Sequence, residues 1–170
     1  MSSGGPAPDA ARARVWEALS RLPDPELPVL TVLDLGIVRA VRIDGAQVEV
    51  TITPTYSGCP ALHVIEQDIR RALAAAGYPD ARVRTALSPA WTSAWMSAAG
   101  REKLTRYGIA PPGAPATTAV RFHRAAPAAV ACPRCGAADT ERLAEFGSTA
   151  CKALYRCRAC REPFDYFKPI

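Results

Sequence analysis

The sequence predicts an α+β protein made of a compact domain with one small sheet and a small cysteine-rich module. Three observations predict this architecture: helix, hairpin, helix, strand and helix signals over residues 9–109, a Pro/Ala stretch at 110–128, and two cysteine pairs within 129–170. The middle stretch is too stiff and too poor in large apolar residues to be core, so it is interpreted as a linker.

Apolar periodicity and turn residues set the elements of the first domain. Asp44-Gly45 stands between two apolar runs, as is typical of a tight hairpin. Pro23, Pro54 and Pro89 each end an element, because proline continues neither a helix nor a central strand. The predicted elements are a helix at about 10–22, strands at 37–43 and 48–53, a helix at 60–76, a strand at 82–87 and a helix at 92–107.

The composition, with 49% hydrophobic and 22% charged residues, favours a soluble protein. No apolar run approaches the roughly 18 residues of a membrane span. The N-terminus lacks the charged start and apolar stretch of a secretory signal. We therefore expect no membrane association and a location in the reducing cytoplasm, where cysteine clusters bind metal more often than they form disulfides.

Two Cys-x-x-Cys pairs in the last segment predict a metal site. The pairs are Cys132-Pro-Arg-Cys135 and Cys157-Arg-Ala-Cys160, and each loop aims two sulfurs at one point. A hairpin that joins the loops would build a closed tetrahedral site for structural zinc, although the 21-residue interval is slightly long. A rubredoxin-like iron site and two disulfides are the alternatives. Cys151 is either a core residue of this ribbon or a spare thiol that exchanges into the site.

Cys59 lies where a predicted strand ends and a predicted helix begins, just before Pro60. Unpaired N–H groups and the helix dipole at such a position can lower the pKa of a thiol, so that more of it is the thiolate that binds metal. A buried, inert cysteine is the alternative.

Asp24 and Glu26 flank Pro25 in a loop whose conformation is restricted by prolines. The two carboxylates could bind a hard metal ion or the basic group of a partner. Alternatively, Asp24 caps the backbone of the turn and Glu26 faces water.

The last 50 residues carry 9 basic and 5 acidic side chains. Basic zinc ribbons bind nucleic acid, and Lys152, Arg156, Arg158 and Arg161 cluster around the second cysteine pair. The alternative, a charged surface on a small module, is favoured because few aromatic residues are placed to stack on bases. We therefore do not expect nucleic acid among the partners.

Three segments resemble the PaaD family, subunits of the phenylacetyl-CoA ring-epoxidase system. They are residues 24–38, residues 53–61 and the tail segment 146–168, which begins Phe-Gly-Ser-Thr-Ala-Cys-Lys. The first domain is also similar to the wider iron-sulfur-assembly family that includes SufT, in which the acidic-proline loop and a Thr-x-x-x-Cys-Pro passage recur. Here these are Asp24 to Glu26 and Thr55 to Cys59.

The resemblance implies an iron-sulfur-assembly-type fold followed by a zinc ribbon, and a maturation role in bacterial phenylacetate degradation. It implies a non-catalytic subunit that assists iron-sulfur or di-iron centre assembly, with the oxygenase and reductase subunits and the iron-sulfur assembly machinery as partners. Cys59, with the acidic loop and Thr55, would then hold iron or a cluster transiently. The alternatives are a nucleic-acid-binding zinc ribbon and a thiol-dependent redox enzyme that uses Cys59, although no well-placed base accompanies this cysteine.

Overall fold

The computed structural model describes residues 8–113 and 129–170 and divides the chain into two units, one ending at Trp91 and the other beginning at Thr92. Its mixture of helices and small sheets confirms the predicted α+β fold class. Residues 92–109, which the sequence assigned to the first domain, lie in the second unit. Most of the predicted linker, from residue 114 to 128, lies outside the described residues.

The first unit has two helices and a three-stranded sheet. Strands β1 and β2 are antiparallel, and β3 lies parallel to β2 because helix α2 carries the chain back across the sheet. Gly45, with φ 57°, occupies the hairpin turn that Asp44-Gly45 predicted. The elements are α1 (Pro8–Ser20), β1 (Val38–Asp44), β2 (Gln47–Ile52), α2 (Leu62–Ala75) and β3 (Arg82–Thr85).

The core of this unit follows directly from the two periodicities. Alternate residues of β2 are buried, as expected for a strand with one face toward the core. The buried residues of α2 recur every four positions and form one stripe. Each of these side chains is at most 2% exposed, namely Val48, Val50, Ile52, Ile65, Ile69 and Leu73.

The segment between α1 and β1 has no regular secondary structure but is held by backbone hydrogen bonds. Asp24 N–H donates to the Leu30 carbonyl at 2.8 Å, and Val32 N–H donates to the Leu22 carbonyl at 3.0 Å. Leu30 is fully buried, and Leu27 is only 3% exposed. These contacts hold the acidic-proline loop against the core.

The second unit contains a four-stranded sheet in the order β4-β7-β6-β5. Strand β4, directly after α3, pairs in parallel with β7 at the end of the chain, and this pairing joins residues 92–113 to the ribbon. The elements are a 3-10 helix (Ser93–Trp95), α3 (Ala98–Tyr107), β4 (Ile109–Ala110), β5 (Thr140–Ala144), β6 (Lys152–Cys157) and β7 (Pro163–Phe167).

Helix α3 is shorter than the predicted helix at 92–107. Thr92 caps the 3-10 helix, and the Ser97 hydroxyl accepts a 2.9 Å hydrogen bond from Gly100 N–H, so Ser97 starts the α-helix afresh. Gly108, with φ 89°, ends it. In the part of the chain that is described, no helix combines the length and the apolar composition needed to cross a membrane.

Candidate metal centre and thiol loop

The four cysteines of the two pairs lie at the tips of two similar turns. In the first turn, Cys132 N–H donates to the Ala137 carbonyl at 2.9 Å, and in the second, Cys157 N–H donates to the Glu162 carbonyl at 3.0 Å. The residue after each pair has a left-handed backbone, with φ 75° at Gly136 and 65° at Arg161. The two turns bring their four cysteine side chains together at one place.

The sulfur atoms of the four cysteines all lie within 4.8 Å of one another. The Cys132 and Cys160 Sγ atoms are 3.8 Å apart, and those of Cys135 and Cys157 are 3.6 Å apart. Four sulfurs at about 2.3 Å from a central zinc ion are separated by roughly 3.8 Å, so these distances fit tetrahedral coordination. None of the four is in a disulfide. The donor set fits zinc, and the disulfide alternative is not what the structure shows.

The clustered cysteines shift the pKa values of one another. The backbone N–H of Cys160, foremost among several hydrogen bonds, lowers the pKa of Cys157 to about 7. At Cys160, the backbone N–H of Glu162 lowers the pKa, but desolvation and the neighbouring sulfurs outweigh it and raise the pKa to about 12. Adjacent thiols share protons in this way because thiolates repel, and a bound divalent ion replaces those protons.

The basic side chains beside the second pair are largely engaged with carboxylates. Glu141 accepts hydrogen bonds from both Arg156 and Arg158, and these bonds hold the pKa of Glu141 below its usual value. Arg158 also forms a 3.6 Å ion pair with Asp139. This neutralisation leaves less positive charge for a nucleic-acid backbone than the sequence alone indicates.

Lys152, which the sequence placed in the surface basic cluster, is only 5% exposed. Its Nζ atom lies 3.4 Å from Oδ2 of Asp165, and the same oxygen accepts a 3.1 Å hydrogen bond from the Ser148 hydroxyl. The sequence signal for this burial is the position of Lys152 in the apolar run Lys152-Ala-Leu-Tyr155, which forms an inner strand of the sheet.

Replacing Asp165 with asparagine is expected to destabilise the ribbon by about 3 kcal/mol, because it leaves the buried ammonium of Lys152 without a counter-charge. Faster hydrogen exchange of the β6 and β7 amides in the zinc-loaded protein measures this loss. Glu145→Gln, which breaks the exposed pair with Arg142, is the control and should cost less than about 1 kcal/mol. Equal exchange in both variants would contradict the assigned role of the buried pair.

Cys59 is half-buried and lies outside any disulfide. Its N–H donates to the Tyr56 carbonyl at 3.2 Å, and its carbonyl accepts from Leu62 N–H at 3.2 Å, so it begins the turn that leads into α2. The helix starts at Leu62, slightly later than predicted, and its first turn contains no acidic residue. Ala61 at the N-cap provides no side-chain hydrogen bond to the first turn of the helix.

Asp24 acts within its own turn. Its side chain is buried, and Oδ1 accepts hydrogen bonds from the backbone N–H groups of Glu26 and Leu27 at 3.0 and 2.8 Å. Glu26 is half-buried, and Thr55 is 9% exposed. The Asp24 carboxylate therefore caps the backbone of the acidic-proline turn.

The cysteine quartet and the candidate residues of the first unit differ in whether their side chains are arranged to bind a metal ion. Among residues 8–113 and 129–170, one group of three or more cysteine, histidine or carboxylate side chains has metal-binding geometry, and it is the cysteine quartet. Cys59, Asp24 and Glu26 are not arranged as such a group. Cys151 is buried and lies outside the quartet, with its Sγ 3.1 Å from the Thr149 hydroxyl.

Comparison with known proteins supports both units. Residues 12–88 match the family model described as iron-sulfur cluster assembly protein, and residues 116–168 match the PaaD zinc beta ribbon domain. A structure of "Domain of Unknown Function DUF59" from Bacillus anthracis aligns with a TM-score of 0.53 and 26% identity, covering 56% of this chain and 92% of that one.

Two relatives carry functional names. A protein of Escherichia coli (strain K12), named as a subunit of a "Putative 1,2-phenylacetyl-CoA epoxidase", is 50% identical over 156 residues, 92% of each chain. "Fe-S protein maturation auxiliary factor YitW" of Bacillus subtilis (strain 168) is 32% identical over 101 residues, covering 58% of this chain and 90% of its own length.

The fold and the cysteine quartet define a class of proteins in which an iron-sulfur cluster assembly domain precedes a zinc ribbon. The long alignment with the E. coli protein covers both units. The chain belongs to the PaaD family of phenylacetyl-CoA epoxidase subunits, and the resemblance found in the sequence is confirmed.

Proposed function

We propose that this protein is a non-catalytic maturation factor of the phenylacetyl-CoA ring-epoxidase system in bacterial phenylacetate degradation. The observation that carries the proposal is the separation of two kinds of sulfur. Four cysteines close a site in the ribbon, whereas Cys59 stands half-buried in a domain of the iron-sulfur assembly family.

The quartet suits a permanent structural ion. Four thiolates complete a tetrahedral zinc shell and leave no position for water or substrate. Zinc is also redox-inactive, so this site contributes shape rather than chemistry. The ribbon then serves as a folded module for contact with other proteins of the complex.

Cys59 suits an exchangeable contact with iron as cargo. The side chain is partly accessible and lies three residues before the first residue of α2, whose first turn contains no acidic residue. Asp24 shapes the neighbouring acidic loop through its two backbone hydrogen bonds, and Glu26 offers a second, more accessible carboxylate. Thr55 begins the passage that places Cys59. A single thiolate holds iron weakly enough to release it, which a transfer step requires.

The clients in this proposal are the metal centres of the oxygenase and reductase subunits, with the iron-sulfur assembly machinery as donor. The name of the E. coli relative supports membership of an epoxidase complex, and the name of the B. subtilis relative supports an iron-sulfur maturation role. The thiol-rich chain, with six cysteines outside disulfides, suits the reducing cytoplasm.

Coexpressing the oxygenase and reductase subunits with and without this protein tests the proposal. We expect the clients made without it to contain less iron and to lose epoxidation activity in proportion. As a control, purified protein is added afterwards to clients that were assembled without it. This addition should restore neither iron content nor epoxidation activity unless iron is also supplied. Full iron and full activity in its absence would rule out a maturation role.

A further inference from the structure

The turn between β5 and β6 presents a large apolar side chain to solvent. Phe146 is 65% exposed, and the Nζ atom of Lys168 lies 4.3 Å from the centre of its ring. Single exposed apolar residues are common on protein surfaces. This one differs because the turn that carries it is held by polar contacts to the buried Lys152 and to its partner Asp165.

Two hydrogen bonds hold the turn beside Phe146. Gly147 N–H donates to the Lys152 carbonyl at 2.8 Å, and the Ser148 hydroxyl donates to Asp165 at 3.1 Å. A Cβ atom at Gly147 would lie 2.7 Å from Oδ1 of Asp165, so the turn has room for glycine alone without displacing that carboxylate. The same carboxylate pairs with the buried Lys152.

This network is a costly way to stabilise a fold. A buried ion pair contributes little net stability, because desolvating both charges offsets their attraction. Its structural effect here is to supply the hydrogen-bond acceptors that hold one surface turn. A rigid turn loses little conformational entropy when its exposed aromatic side chain is covered by a partner.

The charge at this surface is incompletely neutralised. The Lys168 ammonium donates to the backbone carbonyl of Glu145 at 3.2 Å, while the Glu145 carboxylate pairs with Arg142. Among residues 8–113 and 129–170, no carboxylate pairs with Lys168. An aromatic face and an available cation therefore stand side by side.

We propose that Phe146 and Lys168 form a docking anchor for a partner protein that presents a carboxylate next to an apolar side chain. The apolar group covers the Phe146 ring, and the carboxylate pairs with the Lys168 ammonium. A protein is favoured over a nucleic acid because Lys152, Arg156 and Arg158 are engaged with carboxylates, which leaves less positive charge for phosphates. This inference deepens the proposed function. It rests on the proposed function only for the identity of the partner protein.

Binding of purified oxygenase and reductase subunits to immobilised full-length protein tests the anchor. Phe146→Ala is expected to weaken binding by about tenfold or more, as for a central aromatic contact. Lys168→Met should weaken binding and reduce its salt dependence, because one charge pair is lost. Gly147→Ala should also weaken binding, because the added Cβ would displace the Asp165 carboxylate that holds the turn. This variant keeps the Phe146 and Lys168 side chains.

Tyr107→Ala is the matched control, since Tyr107 is an equally exposed aromatic residue, at 64%, in the same unit. It should bind as the wild type does. Zinc content measured for every variant verifies that the ribbon remains folded. Equal affinity of wild type and Phe146→Ala would overturn the anchor while leaving the maturation role standing.

If the wild type binds neither client, the partners in the proposed function are wrong, and a second measurement decides the anchor. A short synthetic peptide of alternating aspartate and leucine residues, followed by NMR, should shift the Phe146 and Lys168 signals. Its asparagine counterpart should shift them much less. Absence of these shifts, or stronger binding of a single-stranded oligonucleotide to the same residues, would overturn the proposal.

Discussion

Replacing Cys135 with serine is expected to abolish stoichiometric zinc binding and to unfold the ribbon, while the first unit remains folded. The quartet places four sulfurs around one point, and a serine hydroxyl does not ionise to replace a thiolate ligand. The side chain of Cys135 is exposed, so the substitution leaves no cavity in the apolar core of the ribbon. Any large loss of stability therefore comes from the metal.

The magnitude of this effect exceeds that of any packing change in a small module. Structural zinc sites contribute apparent binding free energies of about 10–16 kcal/mol near pH 7, which is comparable to the whole stability of a domain. The apolar cluster beside the sulfurs is small, and two of its members are themselves zinc ligands. Without the ion, this cluster cannot offset the entropy of ordering the two cysteine turns.

Elemental analysis of protein purified without added metal measures the first part of this result, and hydrogen exchange of the β5, β6 and β7 amides measures the second. Cys151→Ser is the matched control because Cys151 is a buried cysteine of the same unit outside the quartet, and a serine can keep the contact with Thr149. We expect this variant to retain one zinc ion per chain. A Cys135→Ser protein with full zinc and protected amides would refute the assignment of the quartet.

Features that depend on nearby residues could be predicted from the sequence. The quartet is an example, because ligand type and the spacing within each pair determine which atoms can meet. The hairpin at Asp44-Gly45 is another, because glycine adopts the positive φ of the turn without strain. The buried stripe of α2 follows from its apolar spacing alone.

Features that depend on distant residues could not be predicted in this way. Residues 92–110 lie with the ribbon because β4 pairs with β7. The local sequence of β4 does not indicate which strand it pairs with. The sequence predicts that Lys152 is a surface charge, because its contact with Asp165 on the neighbouring strand is known only from the fold. The same holds for Asp24, whose carboxylate could serve a ligand or a turn until the backbone fold is known.

The contrast between the closed quartet and Cys59 suggests why the two units occur in one chain. A permanent site must exclude other ligands, and the ribbon does so by filling all four positions with protein sulfur. A transfer site must admit and release its cargo, and Cys59 is not part of a preformed group of ligands in the described residues. Under the proposed transfer role, completion of the Cys59 ligand shell would require groups from a donor or a client, which would couple metal transfer to contact between proteins.

Substitution of Cys59 by serine is therefore expected to reduce iron loading of the client subunits to the level reached without this protein. A serine hydroxyl is nearly the same size as a thiol, so the half-buried site and the start of α2 should be preserved. It is not ionised near pH 7, however, and an uncharged hydroxyl is a poor ligand for iron. Iron content and epoxidation activity of coexpressed oxygenase and reductase measure the effect.

Ser57→Ala, in the same loop and exposed, is the matched control and should support full iron loading. Unchanged zinc content and unchanged thermal unfolding of the Cys59→Ser protein would show that the loss arises at the thiol and not from misfolding. The two cysteine substitutions should also differ in kind: the ribbon variant loses its own metal and its fold, whereas the Cys59 variant keeps both. Clients that receive normal iron from the Cys59→Ser protein would remove this thiol from the transfer step.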